Sequence, residues 1–197
     1  MKQFVFLLVI GLLFFSCTDT MSKTRRKQLL NELTNLEATL KSNNKKNIEQ
    51  LFTFPLYDSA FDIYINDSAY QMESEKNGSK ITEAIFSKYF SQISGELEFK
   101  RLKEVFKYLS VDSLIQKDSF EFEVRSKKEP CYRFYDSYIN KDTITLVFGT
   151  NTNEAYVDES KKTDEDEGFG DECEYASTWI FRFDGKRLYL IRHLVAG

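Results

Sequence analysis

At Ser119 the spacing of apolar residues changes, and the change divides the chain into two kinds of structure. Before it, apolar residues recur every three or four positions. Leu29, Leu33, Leu36 and Leu40, with Leu30 beside them, line one face of a helix over about residues 23–41, which Asn43 and Asn44 end. After it, the period is two: Phe120, Phe122 and Val124 interleave with Glu121, Glu123 and Arg125, as in a half-buried strand. Further strands are expected over 132–139, 143–149, 175–183 and 186–195. Asn140-Lys141-Asp142 turns the chain in one place, and Asp184-Gly185 gives a strong hairpin signal in another. Helices followed by a run of antiparallel strands define an α+β class, with the helices packed on one face of a curved sheet.

A second helix over 45–52 carries Ile48, Leu51 and Phe52, and Phe54-Pro55-Leu56 breaks it. Phe61, Ile63 and Ile65 alternate as an edge strand would. Asn77-Gly78-Ser79 makes a turn, after which Thr82 caps a helix running through Ile93 with Ile85, Phe86, Tyr89 and Phe90 on its apolar side. Leu102, Val105, Phe106 and Leu109 suggest one more helix, with a strand from Leu97 onward as the alternative.

The first residues, MKQFVFLLVIGLLFFSC, carry a different message. Lys2 is a positive n-region, and Phe4 to Phe15 form an apolar stretch of twelve residues, suited to a secretory signal and too short to span a membrane. Ser16-Cys17 closes it in a way that resembles a bacterial lipobox, with Phe14 where Leu is usual. The resemblance implies cleavage before Cys17 and lipidation of its new N-terminus. The competing reading is a conventional cleavage site, which needs small residues at two positions and finds only Ser16. Several acyl chains, at about 0.8 kcal/mol per buried methylene, would hold the protein on the membrane of the bacterial cell envelope. The outer membrane is the expected location, with the chain facing the periplasm or the outside. The expected organisation is a signal over 1–16, a tether over 17–27, and one α+β domain over 28–197.

Cleavage would leave 181 of the 197 residues with 26 basic against 31 acidic side chains, a balance that suggests no nucleic-acid partner. Nine of the carboxylates fall between Asp158 and Glu174, forming an acidic loop. Hard cations take several carboxylate oxygens, so Asp164, Asp166, Asp171 and Glu172 are metal candidates. The EF-hand pattern is excluded, since Phe169 stands where it needs Gly and Tyr175 where it needs Glu. A solvated loop of like charges is the simpler reading. Cys131 and Cys173 remain as an even pair in an oxidising compartment, where either a disulfide or two separate thiols are open to them. No cofactor motif is present.

The leucine-faced first helix, the stretch IEQLFTFPL and the closing hairpin STWIFRFDGKRLYLIRHL together resemble the NTF2-like, or cystatin-like, α+β cone, in particular exported NTF2-like domains of unknown function in Gram-negative bacteria. The resemblance implies a bent sheet wrapped around the first helix. It carries no catalytic signature, because this cone hosts isomerases, dehydratases, binding proteins and scaffolds alike. His193 is the sole histidine. Period two puts it on a face with Tyr189, Ile191 and Val195, where Asp62 or Asp136 could pair with it as dehydratases of this fold pair His with Asp. A structural histidine at a strand end is the plainer reading. Trp179, Phe181 and Phe183 share a strand face and suit either a core or an apolar pocket. The function expected is a lipid-anchored domain that binds a small molecule or a protein without turning it over. The alternatives are a hydrolyase or isomerase using His193, and an interaction module using the acidic loop.

Overall fold

The computed structural model describes residues 21–156 and 173–197. The lipobox segment with Cys17 lies outside the described residues, as does the acidic stretch through Glu172 with Asp164, Asp166 and Asp171.

Helix α1 (Lys23–Ser42) starts where the Ser22 side chain accepts the Arg25 backbone N–H and ends at Asn43, whose left-handed φ of 52° turns its N–H back to the Leu40 carbonyl. The expected tether is therefore helical from Lys23 onward. Leu29, Leu30, Leu33, Leu36 and Leu40 are all buried. Asn44 caps α2 (Lys45–Glu49), which is shorter than expected because Leu51 and Phe52 close tight three-residue turns onto Ile48 and Glu49 instead of continuing the helix.

The edge strand expected at Phe61, Ile63 and Ile65 does not form. Phe61 ends α3 (Asp58–Phe61), and Asp62 follows with φ of 48°, a left-handed conformation that no strand accommodates. All three apolar side chains are buried, so their alternation records burial without backbone pairing. A small sheet forms instead from β1 (Leu56–Tyr57) and β2 (Lys80–Ile81), paired antiparallel. Between them lies α4 (Ser68–Lys76), capped by the Asp67 carboxylate, which accepts N–H groups from Ala69 and Tyr70.

Thr82 caps α5 (Glu83–Lys88) as expected, but the helix is interrupted at Tyr89 (φ −105°, ψ 26°) and resumes as α6 (Phe90–Glu96). Helix α7 (Phe99–Tyr108) takes the segment for which a strand was the alternative, burying Phe99, Leu102, Val105 and Phe106. A 3-10 turn over Val111–Ile115 leads to the sheet.

That sheet is a five-stranded antiparallel meander of β3 (Ser119–Val124), β4 (Cys131–Asn140), β5 (Thr143–Thr152), β6 (Tyr175–Phe183) and β7 (Leu188–Ala196), in sequence order. The class is α+β. In the last turn the Asp184 carboxylate accepts the Arg187 and Lys186 backbone N–H groups, which hold its pKa down to about 2, and Gly185 supplies the required positive φ of 100°. Cys131 and Cys173 are joined as a disulfide across Cα atoms 5.4 Å apart.

Alternation separates the two faces of the sheet. Tyr135, Ser137, Ile144, Leu146, Ser177, Trp179, Phe181 and Phe183 face the helices and are buried with the leucines of α1. Trp179, Phe181 and Phe183 are core, each at most 1% exposed. At roughly 1.5–3 kcal/mol for each large side chain fully buried, this layer is the main source of stability. Among the described residues, no helix is long and apolar enough to cross a membrane.

Candidate functional site

Two places could carry chemistry: the buried histidine and the uncovered face of the sheet. The register settles where each one points. His193 pairs with Trp179, Trp179 with Leu146, and Leu146 with Ser137, a row that faces the helices. Its face is not that of Tyr189. A bulge separates them: Phe181 pairs with Leu190 but Ile180 with Arg192, so Ile191 is an extra residue and the alternation of β7 reverses there.

His193 is completely buried, stacked 5.6 Å from Trp179, with Nδ1 3.3 Å from the Phe61 carbonyl oxygen and Nε2 3.0 Å from Ser177 Oγ. A carbonyl only accepts, so Nδ1–H donates to Phe61 and Nε2 accepts from the Ser177 hydroxyl. Burial lowers its pKa and outweighs the opposing pull of the Phe61 carbonyl and of Glu98, Asp62 and Glu96. Its two hydrogen-bond positions are filled by a carbonyl and a hydroxyl. This is the structural histidine of the plainer reading, and neither acid offered as an alternative partner bonds it: Asp136 lies on the other face of the sheet and Asp62 is exposed on the segment after α3. This imidazole locks β7 to α3.

Two phenols on the helix side also have fixed partners. Tyr135 donates to Glu104 Oε1 at 2.7 Å, and Tyr175 donates to Glu98. Burial, then the neighbouring glutamate, raises both, and Tyr175 is pushed up to about 12. They tie α7 to the sheet and hold their protons at neutral pH.

The outer face is different in character. Glu121 stands directly across from Asp136, which stands across from Val147, and Glu123 lies across from Phe134. Glu121, Glu123, Phe134 and Asp136, with Phe122, Tyr132 and Asn151, line a shallow groove of about 420 Å³. Phe134 can lie flat on the sheet because its cross-strand partner is Gly149: a Cβ there would sit 2.1 Å from Phe134 Cζ. Tyr138 donates to Asp136 Oδ2 at 3.2 Å. Burial raises the Asp136 pKa, Tyr138 lowers it, and Glu121 and Glu123 raise it further. Like charges placed directly opposite each other on a sheet are destabilising, so this arrangement costs stability in the absence of a counter-charge.

The groove already accommodates one cation from its own chain. The Arg125 guanidinium lies 3.7 Å over the Tyr132 ring and its Nε donates to Glu123 Oε2 at 2.8 Å. Sequence reasoning placed these residues on strands without seeing the site. Two signals were present: the polar half of β3 is acidic at both Glu121 and Glu123, and a glycine follows the apolar run of β5. Among the described residues, no group of three or more His, Cys, Asp and Glu side chains could hold a metal ion.

Compared with protein-family models, with curated proteins and with solved structures, the chain finds no match in any of the three. What the fold and the groove define is an α+β domain with a buried apolar core and an acidic, aromatic outer sheet face.

Proposed function

We propose that this chain is an exported, lipid-anchored binding protein that holds a cationic partner on the outer face of its sheet without chemically altering it. The lipobox-like end at Ser16-Cys17 supports export and anchoring. An NTF2-like relationship is supported by the order of elements, helices first and then a meander bent by the Ile191 bulge. The extra short helices and the β1–β2 pair are additions to that plan.

The observation that carries the recognition reading is Glu121 directly opposite Asp136, beside the Tyr132 ring, which already stacks a guanidinium. Carboxylates beside π-faces suit Lys or Arg side chains, which bring both the missing charge and a planar or extended apolar surface. A basic peptide segment of another exported protein is the class of partner that fits. The test is binding of a hexa-arginine peptide against hexaglutamate, measured by fluorescence anisotropy at low and high salt. Hexa-arginine should bind selectively and with a steep salt dependence, and E121Q/D136N should weaken it about tenfold, consistent with two partly screened pairs. Equal binding of both peptides, or no effect of E121Q/D136N, overturns the recognition reading. Mass spectrometry of Cys17 checks the anchor separately.

A further inference from the structure

A second groove, of about 620 Å³, runs between the first half of α1 and the 3-10 turn. Its floor is Leu30 and Val111, and Ile115 stands at its edge, 56% exposed although large and apolar. Lys23, Lys27 and Asn31 follow at spacings of four along the α1 wall, so one side of the groove is basic. The neighbouring arginines are already committed: Arg25 Nε donates to Asp142 at 2.6 Å, and Arg26 spans Asp118 and the Leu114 and Lys117 carbonyls. Lys23 and Lys27 are exposed and make no ion pair among the described residues. Asp112, also in the lining, is the one carboxylate against them.

We infer that this groove is the membrane-facing surface of the protein, with Lys23 and Lys27 on anionic lipid headgroups and Ile115 touching the interface. The inference rests on the proposal that Cys17 carries the lipid. Lys23 comes six positions after Cys17 in sequence, and a fully extended chain covers at most about 3.6 Å per residue, so the start of α1 is held within roughly 20 Å of the bilayer surface. At that range a basic rim is drawn onto an anionic leaflet, and an exposed isoleucine beside it gains by entering the interface. The outer face of the sheet bears the opposite sign through Glu121, Glu123 and Asp136, so the same lipid repels it and it turns toward the solvent.

The experiment uses the full lipidated protein in two vesicle preparations, phosphatidylglycerol with phosphatidylethanolamine and phosphatidylcholine alone. Lysine acylation is followed residue by residue by mass spectrometry. On anionic vesicles Lys23 and Lys27 should react at least fivefold more slowly, in line with an attraction of roughly fivefold for each basic residue at such a surface. About 1 M salt, where the Debye length is about 3 Å, should erase the difference. Lys127 and Lys128, in the β3–β4 turn at the far end of the sheet from Asp142, should react equally on both. K23E/K27E, at exposed positions that leave the fold intact, should remove the protection that anionic vesicles give the backbone amides of residues 111–116 against hydrogen exchange. Equal labelling of Lys23 and Lys27 on both vesicles, with lipid mass present on Cys17, overturns the docking surface alone. Absence of lipid mass on Cys17 overturns the anchor and the docking together.

Discussion

The imidazole of His193 stacks on the indole of Trp179, with ring centroids 5.6 Å apart, only because Ile191 is an extra residue that reverses the alternation of β7. That one bulge turns a residue expected beside Tyr189 into part of the core. It also gives the neutral ring two filled hydrogen bonds, to the Phe61 carbonyl and from Ser177 Oγ.

Stability should therefore depend on pH through this ring. Burial lowers the folded-state pKa below the ordinary value of 6.5. Below about pH 6.5 the unfolded chain binds a proton that the folded one resists, so stability present above that pH is lost as pH falls towards the folded-state value. The slope contributed is at most about 1.4 kcal/mol per pH unit. His193→Leu should lack this slope, and at pH 8 should be less stable by about 2–4 kcal/mol, because the Phe61 carbonyl and Ser177 hydroxyl lose their partner. Urea denaturation of both proteins between pH 8 and pH 5 checks it. Parallel pH profiles would show that the ring is not the titrating group.

Asn153 organises the loop before β4. Its Nδ2 donates to the Ser126 carbonyl at 2.7 Å and to the Glu129 carbonyl at 2.9 Å, while its backbone N–H reaches Pro130. Asn153→Asp keeps the shape and removes both side-chain donors, setting a carboxylate against two carbonyl oxygens. The expected loss is about 2–4 kcal/mol, since buried acceptors are left unpaired. Amide exchange should speed up over residues 126–131 more than in the core strands.

The Cys131–Cys173 bridge joins the start of β4 to the approach to β6 across 42 residues of chain. In the chain-entropy view a closed loop of that size restricts the unfolded state, and C131S/C173S should lower stability by about 2–4 kcal/mol. Guanidinium denaturation with and without reductant separates the bridge from the side chains. The wild-type protein in reductant should match the double variant.

How far the sequence could be read follows from which forces are local. Helix α1 and the meander were legible because their apolar spacing is regular and long, and because Asn43, Thr82 and Asp184 carry turn or cap chemistry in their own side chains. Helix α4 was missed although Asp67 is a good N-cap, because its buried residues, Tyr70 and Ser74, make no apolar stripe. Phe61, Ile63 and Ile65 were misread because burial alone produces alternation. The direction of His193 was beyond a period-two count, since a single bulge reverses every position after it and leaves no mark in the sequence. The acidic groove draws on β3, β4 and β5, and only strand register brings Glu121 opposite Asp136.

Asp136 links stability to the proposed recognition on that outer face. Burial raises its pKa, and Glu121 and Glu123 raise it further, so the ionised form is disfavoured in the folded state. A carboxyl with a raised folded-state pKa contributes stability that is fully present below its unfolded value and is lost as pH rises through the folded value. At pH 7 Asp136→Asn should therefore stabilise the domain, by up to about 1 kcal/mol given its partial exposure, while weakening the hexa-arginine complex. Peptide affinity of the wild-type protein should begin to fall, as the solution is acidified, above the ordinary carboxylate value of 3.8, and Asp136→Asn should flatten that onset. Thermal denaturation at pH 7 and anisotropy titrations from pH 7 to pH 4 read the two effects separately. A variant that is both less stable and equally able to bind would mean that Asp136 is a structural residue and that the groove recognises nothing through it.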